Sequence, residues 1–173
     1  MKTIVFMCFM IFLLAGCSVY AMSFGRDESA NVTSIDGKPA ICLPIDADEV
    51  FPVGWVSLSQ SYVRSPGAWG VMLQQGAKPL ALRPGDCLVL GIVPEGYELD
   101  SYKVKTRTLT LEVNKTYVFS MTDALHSTDT YAAVFCIERT AEGGLEYKRY
   151  INLPDGSELV PSCDARLNGN VLE

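Results

Sequence analysis

Apolar and polar side chains alternate through most of the chain, and helical spacing of three and four is sustained nowhere. Residues 32–35 end at Asp36-Gly37, a pair suited to tight hairpin turns because both residues tolerate positive φ. Ile41, Leu43 and Ile45 alternate through 40–45. Further strands are predicted over 55–63, 69–73 and 80–82, with Ser65-Pro66-Gly67 as a turn between the first two. Pro84-Gly85 leads into 87–93, an almost continuous apolar run that fits a central strand buried on both faces. Tyr102, Val104 and Thr106 alternate with Lys103, Lys105 and Arg107, the pattern of a half-buried strand with a basic outer face. Strands over 109–113, 116–121, 131–138 and 145–151 complete the set, with Gly143-Gly144 as a hairpin turn. Short strands with turns every 8–12 residues or so predict an all-β sandwich. Leu111-x5-Tyr117 has the spacing of a tyrosine corner. The expectation is one immunoglobulin-like antiparallel β-sandwich over residues 31–173, stapled by two disulfides.

The N-terminus breaks the alternation. After Lys2, residues 3–14 form an apolar run of twelve, shorter than the roughly 20 residues that span a bilayer as a helix. This is the length of a signal-peptide core. It closes on Leu14-Ala15-Gly16-Cys17, which resembles the lipobox of bacterial lipoproteins. Small residues before the cut admit the peptidase, and the Cys17 thiol accepts diacylglycerol. Residues 1–16 are therefore expected to be a lipoprotein signal peptide. Residues 17–30 are expected to be the lipidated Cys17 and a flexible tether, since 18–30 are polar and aperiodic. The alternative is an ordinary secretory signal cut after Tyr20-Ala21. Ser18 replaces the aspartate that commonly retains lipoproteins in the inner membrane. Anchoring in the outer membrane, facing the periplasm, is accordingly expected ahead of the inner membrane.

Removing 16 of 173 residues leaves 157, the size of one domain, and loss of Lys2 takes the net charge from −6 to −7. Phosphate repulsion argues against nucleic acid as a partner. A basic protein partner suits the charge better. Six cysteines become four once Cys8 leaves and Cys17 is lipidated. Cys42, Cys87, Cys136 and Cys163 form an even set in an exported chain, which implies two disulfides. Three pairings are possible. Cys42–Cys87 with Cys136–Cys163 joins neighbouring stretches and is favoured. No pair has C-x-x-C spacing and one histidine cannot complete a zinc set, so no metal and no cofactor are expected.

Catalytic motifs are sparse, and no enzyme activity is expected. His126, the single histidine, lies in a polar loop with Asp123, Ser127 and Asp129, without a G-x-S-x-G elbow. The carboxylates of Asp46, Asp48 and Glu49, and of Glu95, Glu98 and Asp100, sit in Pro- and Gly-flanked turns, where exposed charge is the ordinary state. An EF-hand loop would need a glycine and a terminal glutamate that the first cluster lacks. Tyr62, Arg64 and Trp69 are of the types enriched at interface hot spots. With Glu95, Tyr97, Glu98 and Asp100 they are the candidate partner-binding residues. For Trp69 and Tyr62, closure of the core beneath a loop is the favoured reading.

Beside the lipobox stand Gly37-Lys38-Pro39-Ala40-Ile41-Cys42, Gly85-Asp86-Cys87 and Asn114-Lys115-Thr116-Tyr117. In that order the chain resembles the periplasmic immunity lipoproteins of type VI secretion systems, a family of small enterobacterial proteins. It departs from them at Asn114, where glycine is expected, and in the C-terminal extension that carries Cys163. The resemblance implies a membrane-anchored protein that binds and neutralises a secreted protein toxin. Two other readings share the anatomy: a structural accessory lipoprotein of an envelope assembly, and a lysozyme-inhibitor-type lipoprotein. The lipobox makes a direct demand. Metabolic labelling with a fatty acid should mark the wild-type chain and leave Cys17→Ser unlabelled; equal labelling would remove the anchor.

Overall fold

The computed structural model describes residues 25–100, 107–152 and 158–159, the side chains of 107, 151, 152, 158 and 159 excepted. The elements are β1 (Asp27–Ser29), β2 (Asn31–Ile35), β3 (Lys38–Cys42), β4 (Phe51–Gln60), β5 (Gly67–Leu73), β6 (Leu80–Leu82), β7 (Cys87–Val89), β8 (Tyr97–Leu99), β9 (Arg107–Thr108), β10 (Thr116–Asp123), β11 (Thr130–Arg139), β12 (Leu145–Arg149), β13 (Ile151–Asn152) and β14 (Glu158–Leu159). No helix occurs among the described residues.

The large sheet has nine strands on the path β1-β11-β10-β4-β5-β8. β12 shares one edge of β11 with β1, β6 shares an edge of β4 with β5, and β9 shares an edge of β5 with β8. Pairing is antiparallel except for β1 on β11 and β9 on β5. A three-stranded antiparallel sheet, β2-β3-β7, lies over it, β2 against β12 and β11 and β3 against β10. The fold is thus all-β and sandwich-like. β13 and β14 form a separate antiparallel pair.

The alternation that predicts the strands also fills the space between the sheets. Tyr117, Phe119 and Met121 of β10 and Tyr131, Ala133, Phe135 and Ile137 of β11 point inward. Ile41 and Leu43 meet them from the small sheet side, within one continuous core. Phe135 takes Tyr147 edge-on at 5.8 Å and stacks on Tyr117 at the same separation. Phe119, Phe135, Met121, Ile41 and Leu43, fully buried, each contribute about 1.5–3 kcal/mol. In β4 the inward residues are Phe51 and Val53, then Val56 and Leu58. The change of parity comes from a bulge. Thr122 pairs with Trp55 and Asp123 with Val53, which leaves Gly54 unmatched. One extra residue turns both halves of β4 toward the core.

The hairpin at Asp36-Gly37 forms as expected, with φ of 52° and 76°. Cys42 and Cys87 face each other across β3 and β7 and are disulfide-bonded. That bridge stabilises by about 2–4 kcal/mol through the unfolded chain. Cys136 is fully buried on β11, while Cys163 and Cys17 lie outside the described residues. Residues 101–106 do too, and with them most of the expected basic strand.

Four expectations are corrected. The run 87–93 is not a central strand: β7 stops at Val89 on the edge of the small sheet, Gly91 takes φ +84°, and Ile92 and Val93 are exposed as the chain crosses to β8. Residues 109–113 form no ladder, yet Leu109, Leu111 and Val113 still pack against the core. Their segment is held instead by the Tyr117 hydroxyl, which donates to the Thr110 carbonyl at 3.1 Å and accepts the Glu112 N–H at 2.8 Å. The tether ends sooner than expected, because Asp27–Ser29 pair with β11 as β1 and Ala30 is fully buried. Finally, Glu98 and Asp100 do not sit in one loop with Glu95; Glu98 is within β8 and Asp100 directly follows it.

The bulge carries a test. A Cβ on Gly54 would lie 2.7 Å from the Ala124 Cα, which is backbone and cannot swing aside. Gly54→Ala should therefore destabilise the fold by about 1–3 kcal/mol, seen as a lower midpoint in chemical denaturation. An unchanged midpoint would mean the bulge is not held against the β10–β11 loop.

Candidate functional site

The residues expected to meet a partner do not share one surface. Trp69 is half-buried on the core side of β5, edge-on to Phe119 at 6.5 Å. Tyr97 is buried, and its hydroxyl donates to the Val53 carbonyl at 2.5 Å and accepts the Leu80 N–H at 2.9 Å, tying β8 to β4 and β6. Asp100 is buried as well. Its carboxylate accepts the Trp55 indole N–H at 3.1 Å, and its own N–H donates to the Gly70 carbonyl. These three side chains serve the fold. Tyr62 and Arg64 are exposed on the β4–β5 turn, Tyr62 with φ +59°, a backbone region that bulky residues rarely enter. Tyr62 lines a shallow hollow of about 220 Å³ with Arg149 and Tyr150. Glu95 and Glu98 are exposed at the β8 edge, where the Glu98 carboxylate faces the Gln74 amide at 3.5 Å.

A larger cleft, about 430 Å³, lies at the end of the sheet where β1, β4 and β11 begin and β10 ends. Hydrogen bonds fix its walls. The Asp123 carboxylate accepts the N–H groups of Leu125 at 2.5 Å and His126 at 2.8 Å, a local turn of the kind aspartate makes with backbone two and three residues on. The Ala124 N–H donates to the Pro52 carbonyl at 2.8 Å, which joins this loop to the bulged end of β4. Across the cleft, the Arg26 N–H donates to the Asp129 carboxylate at 3.1 Å, and the Thr130 N–H donates to the Arg26 carbonyl at 2.7 Å. Phe51 and Tyr131 form an apolar floor, edge to face at 5.1 Å.

Charge is arranged around that floor. The Arg26 guanidinium pairs with Glu49 at 2.7 Å and Glu28 at 3.3 Å. Its pKa is raised, first by the hydrogen bond to Glu49 and then by the charge of Glu28. Burial, followed by hydrogen bonding to Glu28, pushes the Tyr131 phenol up to about 12. His126 is exposed, with Nδ1 at 3.8 Å from the Asp123 carboxylate, too far for a hydrogen bond. That Asp123 oxygen already accepts two backbone N–H groups. No grouping of three or more His, Cys, Asp or Glu that would hold a metal ion occurs among the described residues.

Sequence reasoning missed this cleft. Arg26 and Glu28 fall in the expected tether, and Glu49 ends a run read as loop charge. The cleft draws on 26–28, 49–52 and 123–131, and no linear motif connects those segments. Comparison with protein-family models, with curated proteins and with solved structures gives no match.

Tyr131 supplies a test of the floor. A phenol that ionises less readily in the folded chain than in the unfolded one stabilises the fold fully below its ordinary pKa near 10, and that contribution is lost as pH rises from 10 toward 12. Tyrosinate absorbance should show a component near pH 12 that Tyr131→Phe removes. Denaturant midpoints should fall between about pH 10 and 12, and fall less in that variant. A full complement of tyrosinate by pH 11 would contradict the burial of Tyr131.

Proposed function

We propose that the chain is a lipid-anchored periplasmic immunity protein that binds a secreted toxin and blocks it by occlusion, without chemistry of its own. The observation that carries this reading is the lipobox, Leu14-Ala15-Gly16-Cys17, ahead of a small all-β domain. A signal of this type delivers a stapled domain to the compartment where a toxin arrives. Outer-membrane anchoring through Cys17, an immunoglobulin-like arrangement of the two sheets and a second bridge, Cys136–Cys163, belong to the same proposal. Non-reducing peptide mapping decides that pairing.

The segments that carry the family resemblance support the reading through their structural roles. Lys38–Cys42 is β3 and Cys87 opens β7, and their cysteines are joined. Asn114 holds φ +62°, a conformation that asparagine and glycine both enter readily, so asparagine can stand where the family has glycine. Tyr117, three residues on, makes the corner that holds 110–112. Glu95 and Glu98, Tyr62 and Arg64 then contribute as exposed charge and contact around the domain; the net charge suits a basic toxin.

Co-purification with the product of the adjacent gene, followed by a protection assay against siblings carrying an active secretion system, tests this. The wild type should capture the effector and protect. His126→Gln should protect equally, because occlusion needs no proton transfer. Glu95→Lys with Glu98→Lys should slow association roughly two- to tenfold at low salt and less at high salt, since these charges act by steering. If no neighbour-encoded effector is captured and loss of the gene never sensitises cells, the envelope-assembly reading takes its place.

A further inference from the structure

We infer that the cleft between β1, the start of β4 and the β10–β11 loop is the contact point for the partner, and that it receives an arginine or lysine side chain from a basic protein. The inference rests on the reading of the chain as an inhibitor of another protein and names the surface that reading leaves open.

Charge complementarity is the first ground. The lining carries the carboxylates of Glu28, Glu49, Asp123 and Asp129 against the single guanidinium of Arg26, four negative charges less one positive, an excess of three. Low-dielectric walls concentrate such a field, and cations are drawn to it. The second ground is the chain's own side chain. Arg26 already shows how a guanidinium sits there, with carboxylate oxygens at 2.7 Å and 3.3 Å, the short one in the range of charge-assisted hydrogen bonds. Space for more remains beside it, about 430 Å³, so the cleft is not filled by its own arginine.

The third ground is apolar. The aliphatic stem of arginine or lysine needs an apolar bed beneath a charged head. Phe51 and Tyr131, packed edge to face among the lining residues, provide one. On the rim, Val50 is 49% and Leu125 is 72% exposed. Asp123 fixes the loop that carries Leu125, so this apolar side chain is held in solvent by a rigid turn. Two exposed apolar residues around a charged cleft match the make-up of an interface centre, where a charged anchor enters a pocket and neighbouring contacts exclude water.

Arg26 then competes with the incoming side chain for Glu28 and Glu49. This separates a binding cleft from a purely structural ion pair, because removing a competitor tightens binding whereas removing a brace loosens it. The test needs no toxin. The mature lipidated protein in detergent micelles, labelled with nitrogen-15, is titrated with N-acetyl-arginine amide, N-acetyl-lysine amide and, as a control, N-acetyl-glutamate amide, each to millimolar concentration. The basic probes should shift the amide signals of Val50, Thr130 and Tyr131, severalfold more weakly at high salt, and the acidic probe should not. Glu49→Gln should weaken the basic probes at least threefold, and Arg26→Gln should tighten them. Ile92→Ser, an exposed change on the crossing from β7 to β8 and outside the cleft lining, should shift none of these affinities by more than twofold. Absence of shifts at the cleft, equal shifts with the acidic probe, or weaker binding in Arg26→Gln would overturn the inference. Failure here leaves the immunity reading to its own co-purification test; probe binding without capture of an effector would remove that reading and keep the cleft as a cation site.

Discussion

One extra residue in the central strand governs both the core and the cleft. β4 lies between β10 on one side and β5 with β6 on the other, so the inward side chains of those three strands are registered against it. A strand of strict period two would bury either Phe51 and Val53 or Val56 and Leu58, and would turn the other pair to solvent. Gly54 resolves the conflict by standing outside both ladders. The same step brings β4 against the β10–β11 loop, where the Ala124 N–H meets the Pro52 carbonyl and a side chain at Gly54 has no room. Phe51 thus faces Tyr131 at the floor of the cleft, and Asp123 and Asp129 stand above them.

Much of the fold was legible because alternation reports burial directly. Residues 80–82 form β6 as expected, and the strands around Phe119 and Phe135 lie where the pattern puts them. The misreadings have physical causes. An apolar run does not imply two buried faces: between Cys87 and Val93 the same residues make a short edge strand, a glycine turn and an exposed crossing. Alternation at Leu109, Leu111 and Val113 gave the burial correctly but no pairing, because the tyrosine hydroxyl takes the backbone groups a ladder would use. β1, read as Asp-Glu-Ser, has no apolar pattern at all and is held by backbone pairing to β11.

The cleft was not legible in place. Acidic charge, aromatic residues and an exposed loop were visible along the chain. Their arrangement was not, because Tyr97 and Asp100, which look like surface chemistry in sequence, are turned to structural work. Conversely Arg26, Glu28 and Glu49 look like solvated charge, yet they converge across 23 residues of chain. Polar side chains carry no periodic mark of whether they face solvent or one another, so only the fold distinguishes the two.

The β4 bulge sets the scaffold, and the cleft beside it is the proposed partner surface. Hydrogen–deuterium exchange of the anchored protein, with and without its co-purifying partner, tests that proposal most directly. Slower exchange confined to residues 49–52 and 123–131 is the predicted result. Protection centred instead on 62–66 or on 95–99, with the cleft unchanged, would contradict it.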